Sequence, residues 1–272
     1  MPIKRIKVNN FKVFKNLDIE LNKFNVLIGA NASGKSSFIQ IFNFLRNIIK
    51  NGLHNAISME GGIEYLRNIN IGRQAPLKFE ITIEKPQFQK KEMELEERLI
   101  YRKLNYIKYS FSLEFGNNNG VYKVKEDNLD VEFEYFSCQQ QNFQKNDLGQ
   151  VSVNFFQKNG DLKIEIDKKE LDLPQKFEIT RDKILPLFFD KMEVPEDKLI
   201  IETPLASVIE PSLDNFIKGI SIYNINPTLP RKSTSITGKA ELEEDAGNLS
   251  IVLKRILNHK DSKRKFTNII ND

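Results

Sequence analysis

The sequence predicts an α/β lobe that is interrupted by an antiparallel β-subdomain and followed by helices. Three observations predict it. Within residues 24–49 a short apolar run leads into a glycine-rich bend and then into apolar residues at helical spacing. From about residue 77 to 180, apolar and polar residues alternate with a period of two. Beyond residue 181 the pattern reads as mainly helical, broken by Pro186, Pro195, Pro204 and Pro211. The divisions expected are therefore 1–75, 76–180 and 181–272.

Composition bounds the possibilities. The 272 residues are 40% hydrophobic and 29% charged, with a mean hydropathy of -0.43. A chain of this size can bury a core without disulfides, and its composition excludes a disordered polymer. The one cysteine, Cys138, excludes an internal disulfide and a multi-cysteine metal site. His54 and His259 have no carboxylate or cysteine companions at metal spacing. No apolar run approaches the ~18 residues of a spanning helix. The opening MPIKRIKVNN lacks a signal-peptide core. The expectation is a cytoplasmic chain with no membrane partner. Net charge is +4, but residues 1–75 hold 11 Lys/Arg against 4 Asp/Glu. That excess surrounds the glycine-rich bend, where it attracts a polyanion.

Phe24-Asn25-Val26-Leu27-Ile28 suits a buried strand. Gly29-Ala30-Asn31-Ala32-Ser33-Gly34-Lys35-Ser36 matches G-x-x-x-x-G-K-[ST] in full, and Ser37 continues it. Phe38, Ile41, Phe42, Leu45, Ile48 and Ile49 then form the stripe of an amphipathic helix. Gly29 and Gly34 permit a close approach of backbone to phosphate. The bend's N–H groups converge on the anion, helped by the helix dipole. Lys35 reaches the β- and γ-phosphates of ATP as a point charge, and the Ser36 hydroxyl is placed to ligate Mg²⁺. The fold class predicted is thus an α/β P-loop NTPase lobe, partial, with an inserted antiparallel β-subdomain and C-terminal helices.

Ile3 to Leu17, IKRIKVNNFKVFKNL, together with the string GANASGKSS, resembles the SMC/RecF/OLD-type group of ABC-type, AAA-family ATPases. The resemblance implies that Asn31 and Ser33 line the phosphates beside Lys35 and Ser36. It also implies that the segment from Lys12 to Phe14 lies near the base or ribose. The stretch Leu242 to Ser250 is similar to a segment of the same group that leads into a helix between lobes. In that group two heads sandwich ATP, so the implied partners are ATP, a complementary half or a second head in a homodimer, and an effector protein or DNA.

The departures from the group matter as much. Its signature segment and its Walker B strand ending in Asp-Glu are not found. Ile184 to Asp190 imitates Walker B, but Lys191 follows instead of Glu, and Pro186 interrupts the run. The expectation is an N-terminal half that binds ATP and hydrolyses it only with a complementary half. The alternative is a nucleotide-independent docking module with a vestigial P-loop.

The remaining elements follow in order. Asn51-Gly52 ends the helix after the bend, and a short helix is expected around Ile63 to Arg67. Strands are expected around Leu77–Ile83, Ile107–Phe115, Leu129–Tyr135 and Leu162–Ile166, in a meander of about six. Lys90 to Tyr101, rich in charge, reads as a solvated helix or long loop. Ile220 to Ile225 reads as a strand returning to the core, residues 227–240 as a loop, and Glu241–Leu257 and Asp261–Ile270 as helices. The basic residues Lys254, Arg255, Lys260, Lys263, Arg264 and Lys265 suit either a solvated helix face or a contact with DNA phosphates or an acidic partner.

Overall fold

Period-two alternation produces one large antiparallel sheet. The computed structural model describes residues 3–72, 75–84, 89–95, 98–116, 121–139, 145–158, 160–172, 194–204, 217, 219–231 and 241–271. These form two compact units, residues 1–218 and 219–272.

In the first unit the strands are β1 (Ile3–Phe11), β2 (Phe14–Glu20), β3 (Leu77–Glu84), β4 (Gln89–Leu95), β5 (Arg98–Phe115), β6 (Tyr122–Gln139), β7 (Lys145–Lys158) and β8 (Asp161–Lys169). Their order is β2-β1-β3-β5-β6-β7-β8, with β4 also on β5. β5 is long enough to pair with β3 over Tyr106–Leu113 and with β4 over Arg98–Lys103. One face of the sheet is a continuous apolar layer. Val8, Phe79, Phe111, Leu129, Val153 and Phe155 are buried on their respective strands. Phe79 and Phe111, opposite each other in register, stack at 5.3 Å between ring centroids. Each such ring removed from water stabilises the fold by about 1.5–3 kcal/mol. The other face is wet and charged, with Glu80 on β3 bridging Lys7 (2.9 Å) and Lys108 (3.3 Å).

Helices α1 (Lys35–Asn51), α2 (Leu53–Met59) and α3 (Ile63–Leu66) connect β2 to β3. α1 buries the predicted stripe through Phe38, Ile41, Phe44, Leu45 and Ile48. Its Phe44 ring lies 5.9 Å from Phe11 at the end of β1. Gly52 ends α1 as expected, with φ 84° and its N–H donated to Ile48 O at 2.8 Å. A segment at residues 194–203 lies against β6 and β7, where Val124 N donates to Glu196 O at 2.7 Å. It holds a 3₁₀ turn, Ile200–Glu202, and buries Val194, Leu199, Ile200 and Ile201.

The second unit contains a 3₁₀ turn at Leu229–Arg231 and helices α4 (Leu249–Asn258) and α5 (Lys260–Asn271). Asn248, fully buried, organises the turn before α4. Its Oδ1 accepts from Glu243 N (2.9 Å) and its Nδ2 donates to Glu241 O (2.9 Å).

Several expectations differ from this structure. Residues 24–28 are not a strand: they carry no regular structure, and Phe24 and Ile28 are 83% and 91% exposed. An apolar run becomes a buried strand only with hydrogen-bonded neighbours, and none of the described strands pairs with it. The fully antiparallel sheet likewise departs from the parallel core that an α/β lobe implies. Because β1 pairs with β3, the change of pattern at residue 76 falls inside one continuous sheet. Within Lys90 to Tyr101 the described residues are strand, β4 pairing antiparallel with the start of β5, since β4 takes up the part of β5 that β3 does not reach. Charged residues suit such an edge strand. Residues 220–225 form no strand, their backbone instead meeting the turn before α4 through Asn224 N to Glu244 O at 2.8 Å. Residues 241–248 form that turn, not the first turns of a helix. Ile184 to Asp190 and most of the helical expectation for 181–219 lie outside the described residues.

Candidate functional site

The glycine-rich bend sits between the open segment 22–28 and the start of α1. Ala32 and Gly34 take positive φ, 63° and 94°. Backbones that mix left- and right-handed residues form concavities lined by N–H groups, which suit anions. Gly34 is the N-cap of α1, and a Cβ there would lie 3.1 Å from Val13 Cγ2 and 3.4 Å from the Phe14 ring. Glycine is therefore required twice at this position, by its φ and by the approach of the β1–β2 turn. A Cβ on Gly29 would lie 2.7 Å from Ser33 Oγ.

The electrostatics favour a negative ligand. No acidic residue occupies the first turn of α1, so its positive end is uncompensated. Lys35 Nζ donates to Gly29 O and Ala30 O, both at 2.7 Å, and lies 3.5 Å from Ser33 Oγ. A full positive charge is thereby held directly on the bend. Ser36 is exposed one residue into α1.

The structure thus brings together Gly29, Ala30, Asn31, Ala32, Ser33, Gly34, Lys35, Ser36 and Ser37 in one contiguous bend, and adds Phe14 through its contact at Gly34. Lys12 has a different partner. Its ammonium pairs with the Glu60 carboxylate at 2.7 Å, with both side chains largely buried, and its backbone N donates to Leu66 O. Val13, inside the segment expected near the base or ribose but not singled out there, also meets the bend at Gly34. The available signal was spacing: Phe11 and Phe14 are register partners across a two-residue turn, which carries Val13 to the bend. His54 and His259 are exposed, and Cys138 is half-buried.

The family model for the AAA ATPase domain matches residues 1–272. The chain belongs to this AAA ATPase domain family. It is also similar to the DNA replication and repair protein RecF of Actinobacillus pleuropneumoniae serotype 5b, and of serotype 3, at 41% identity over 46 residues in each case. The aligned stretch is 16% of this chain and 13% of each relative, a small part of the relatives' length. Both findings fit an SMC/RecF-like AAA ATPase. Membership implies nucleotide use, usually with Mg²⁺. The donor set at the bend fits that ion in a limited way: Ser36 offers one oxygen, and Mg²⁺ ordinarily takes its remaining ligands from substrate phosphates and water. Among the described residues no helix is long and apolar enough to cross a membrane.

Proposed function

We propose that this chain is the ATP-binding lobe of an SMC/RecF/OLD-like ATPase in which nucleotide clamps two heads together. The observation that carries the reading is the bend from Gly29 to Ser36, with two left-handed residues, an uncompensated helix end and Lys35 on its carbonyls. The triphosphate tail would lie against the bend's N–H groups, with Asn31 and Ser33 beside it. Lys35 would exchange its carbonyl partners for the β- and γ-phosphates. Phe14 would present its ring toward the base or ribose. Ser36 would hold Mg²⁺, which when bound neutralises charge between those phosphates.

Turnover needs an Asp on the ion and a Glu that orients water. The sequence has no apolar strand ending in that pair, so a complementary half would supply it. The open segment 24–28 supports such a partner. Beside it runs an apolar groove of about 480 Å³, lined by Leu21, Phe24, Val26, Leu27, Phe38 and Phe42. Exposed backbone next to exposed apolar side chains is what an added strand recognises. The names of the RecF relatives point to DNA as the polymer on which such a clamp would act; an effector protein is the other partner class.

Titration calorimetry with Mg-ATP tests the reading. The expected result is saturable heat from the native chain and at least a ~10-fold weaker affinity for Lys35→Ala, the loss of one charge-assisted contact. Equal heats from both proteins would reject ATP binding at this bend and leave the P-loop vestigial.

A further inference from the structure

Residues 194–203 form a strap on β6 and β7. Gln157 Nε2 reaches the carbonyls of Val194 and Pro195 at 3.3 and 3.4 Å. Farther along, two carboxylates make the attachment. Asp127 of β6 accepts the Ile200 N–H through Oδ2. Glu202 accepts Leu199 N through Oε1 at 2.8 Å and Leu53 N through Oε2 at 2.9 Å. Leu53 opens α2 and follows Gly52, the cap of α1. Carboxylate contacts therefore link the sheet, through the strap, to the start of α2, one residue beyond the glycine that caps α1.

The surroundings of Asp127 are unusual for a carboxylate. It is fully buried. The groups facing it are the Tyr109 phenol from β5, Gln157 opposite it on β7, the Ile200 N–H and Glu202 carboxyl of the strap, and the Asn128 N–H of β6 itself. None of these is a cation. Lys198 and Asp197, also on the strap, act on Glu202, and Asp197 and Glu202 act on the Tyr122 phenol. Tyr109 Oη, Asp127 Oδ1 and Gln157 Oε1 are all buried without a hydrogen-bond partner of ordinary geometry. A neutral carboxyl contributes a donor here; an ionised one adds a second negative charge beside Glu202.

We propose that Asp127 and Glu202 form a proton-dependent clasp, closed on the strap while Asp127 is neutral and loosened, together with the cap on α2, when Asp127 ionises. Burial above all pushes the Asp127 carboxyl up to about 7, against the opposing pull of the Ile200 N–H and the Tyr109 phenol. Burial also raises Glu202. With the strap open and solvated, Asp127 titrates near an ordinary aspartate, about 3.9. The closed form binds the extra proton between these values. Opening therefore increases as pH rises from about 4 to about 7, by up to ~10-fold per pH unit, and levels off above.

Hydrogen exchange of the Leu53, Leu199 and Ile200 amides in the full chain tests this from pH 5 to 8, after correction for intrinsic exchange. The native chain is expected to gain up to ~100-fold protection on going from pH 7 to 5. Asp127→Asn retains an acceptor for Ile200 N, and most of that slope should vanish. Tyr109→Phe removes a donor that favours the anion, so the levelling point should move to higher pH. A flat profile in the native chain overturns the clasp, as does an undiminished slope in Asp127→Asn. Should the asparagine variant fail to fold, an unmoved levelling point in Tyr109→Phe overturns it. The clasp does not depend on ATP binding.

Discussion

Residues 24–28 and residues 107–113 contain similar apolar material and have opposite surroundings. On β5, Ile107, Tyr109, Phe111 and Leu113 are at most 3% exposed, with β3 on one side and β6 on the other. Phe24, Val26 and Ile28 are 83%, 65% and 91% exposed beside the glycine bend. Hydrophobicity is common to both, and pairing is not. A strand buries its side chains only when its N–H and C=O groups also find partners, because an unpaired backbone group is costly to remove from water. Among the described residues the sheet is thus the paired and buried region, and the candidate site lies beside an unpaired, exposed segment.

Substitutions can break this comparison. Phe79→Ala, in the ring stack with Phe111, should lower unfolding stability by about 3–5 kcal/mol in a denaturant titration, the usual cost of a buried ring. Asp127 offers a pH-dependent counterpart in the same sheet. A carboxyl raised from 3.8 to about 7 in the folded state contributes stability fully present below its unfolded pKa and lost as pH rises to about 7. The loss is at most about 4 kcal/mol. Asp127→Asn should therefore unfold at higher denaturant than the native chain at pH 8, and the difference should shrink toward pH 4. Gly34→Ala forces an L residue into a left-handed conformation against Val13. It should cost about 1–2 kcal/mol and weaken ATP binding in the same calorimetric assay. Phe24→Ser should change stability by no more than about 0.5 kcal/mol, as at other exposed positions. A loss of 2 kcal/mol or more there would show that residues 24–28 are covered in solution, and the contrast with β5 would fail.

The glycine bend was legible in the sequence because its constraints are local. Gly34 must adopt a positive φ, Lys35 must follow it, and the stripe from Phe38 to Ile48 must form one helical face. The alternation in β3, β5 and β6 was legible for a related reason, since its period of two reports which side chains share a face. The contacts of Lys12 were not. Its partner, Glu60, is distant in sequence and is reached only because Lys12 N bonds Leu66 O and fixes the turn. The pairing of β4 was also hidden. Its charged residues contain no periodic signal, and it exists because β5 extends beyond the end of β3.

The sequence by itself determined the glycine-rich bend, the helix after it and the faces of the main strands. Tertiary structure alone decided that β1 and β2 join β3 to β8 in one sheet, that Phe24–Ile28 stays open, and that Asp127 of β6 meets the strap that carries Glu202. The physical reason is range. Backbone conformation and side-chain period are set by neighbours a few residues away, whereas strand pairing and the burial of a carboxylate depend on which distant segments are present to cover it.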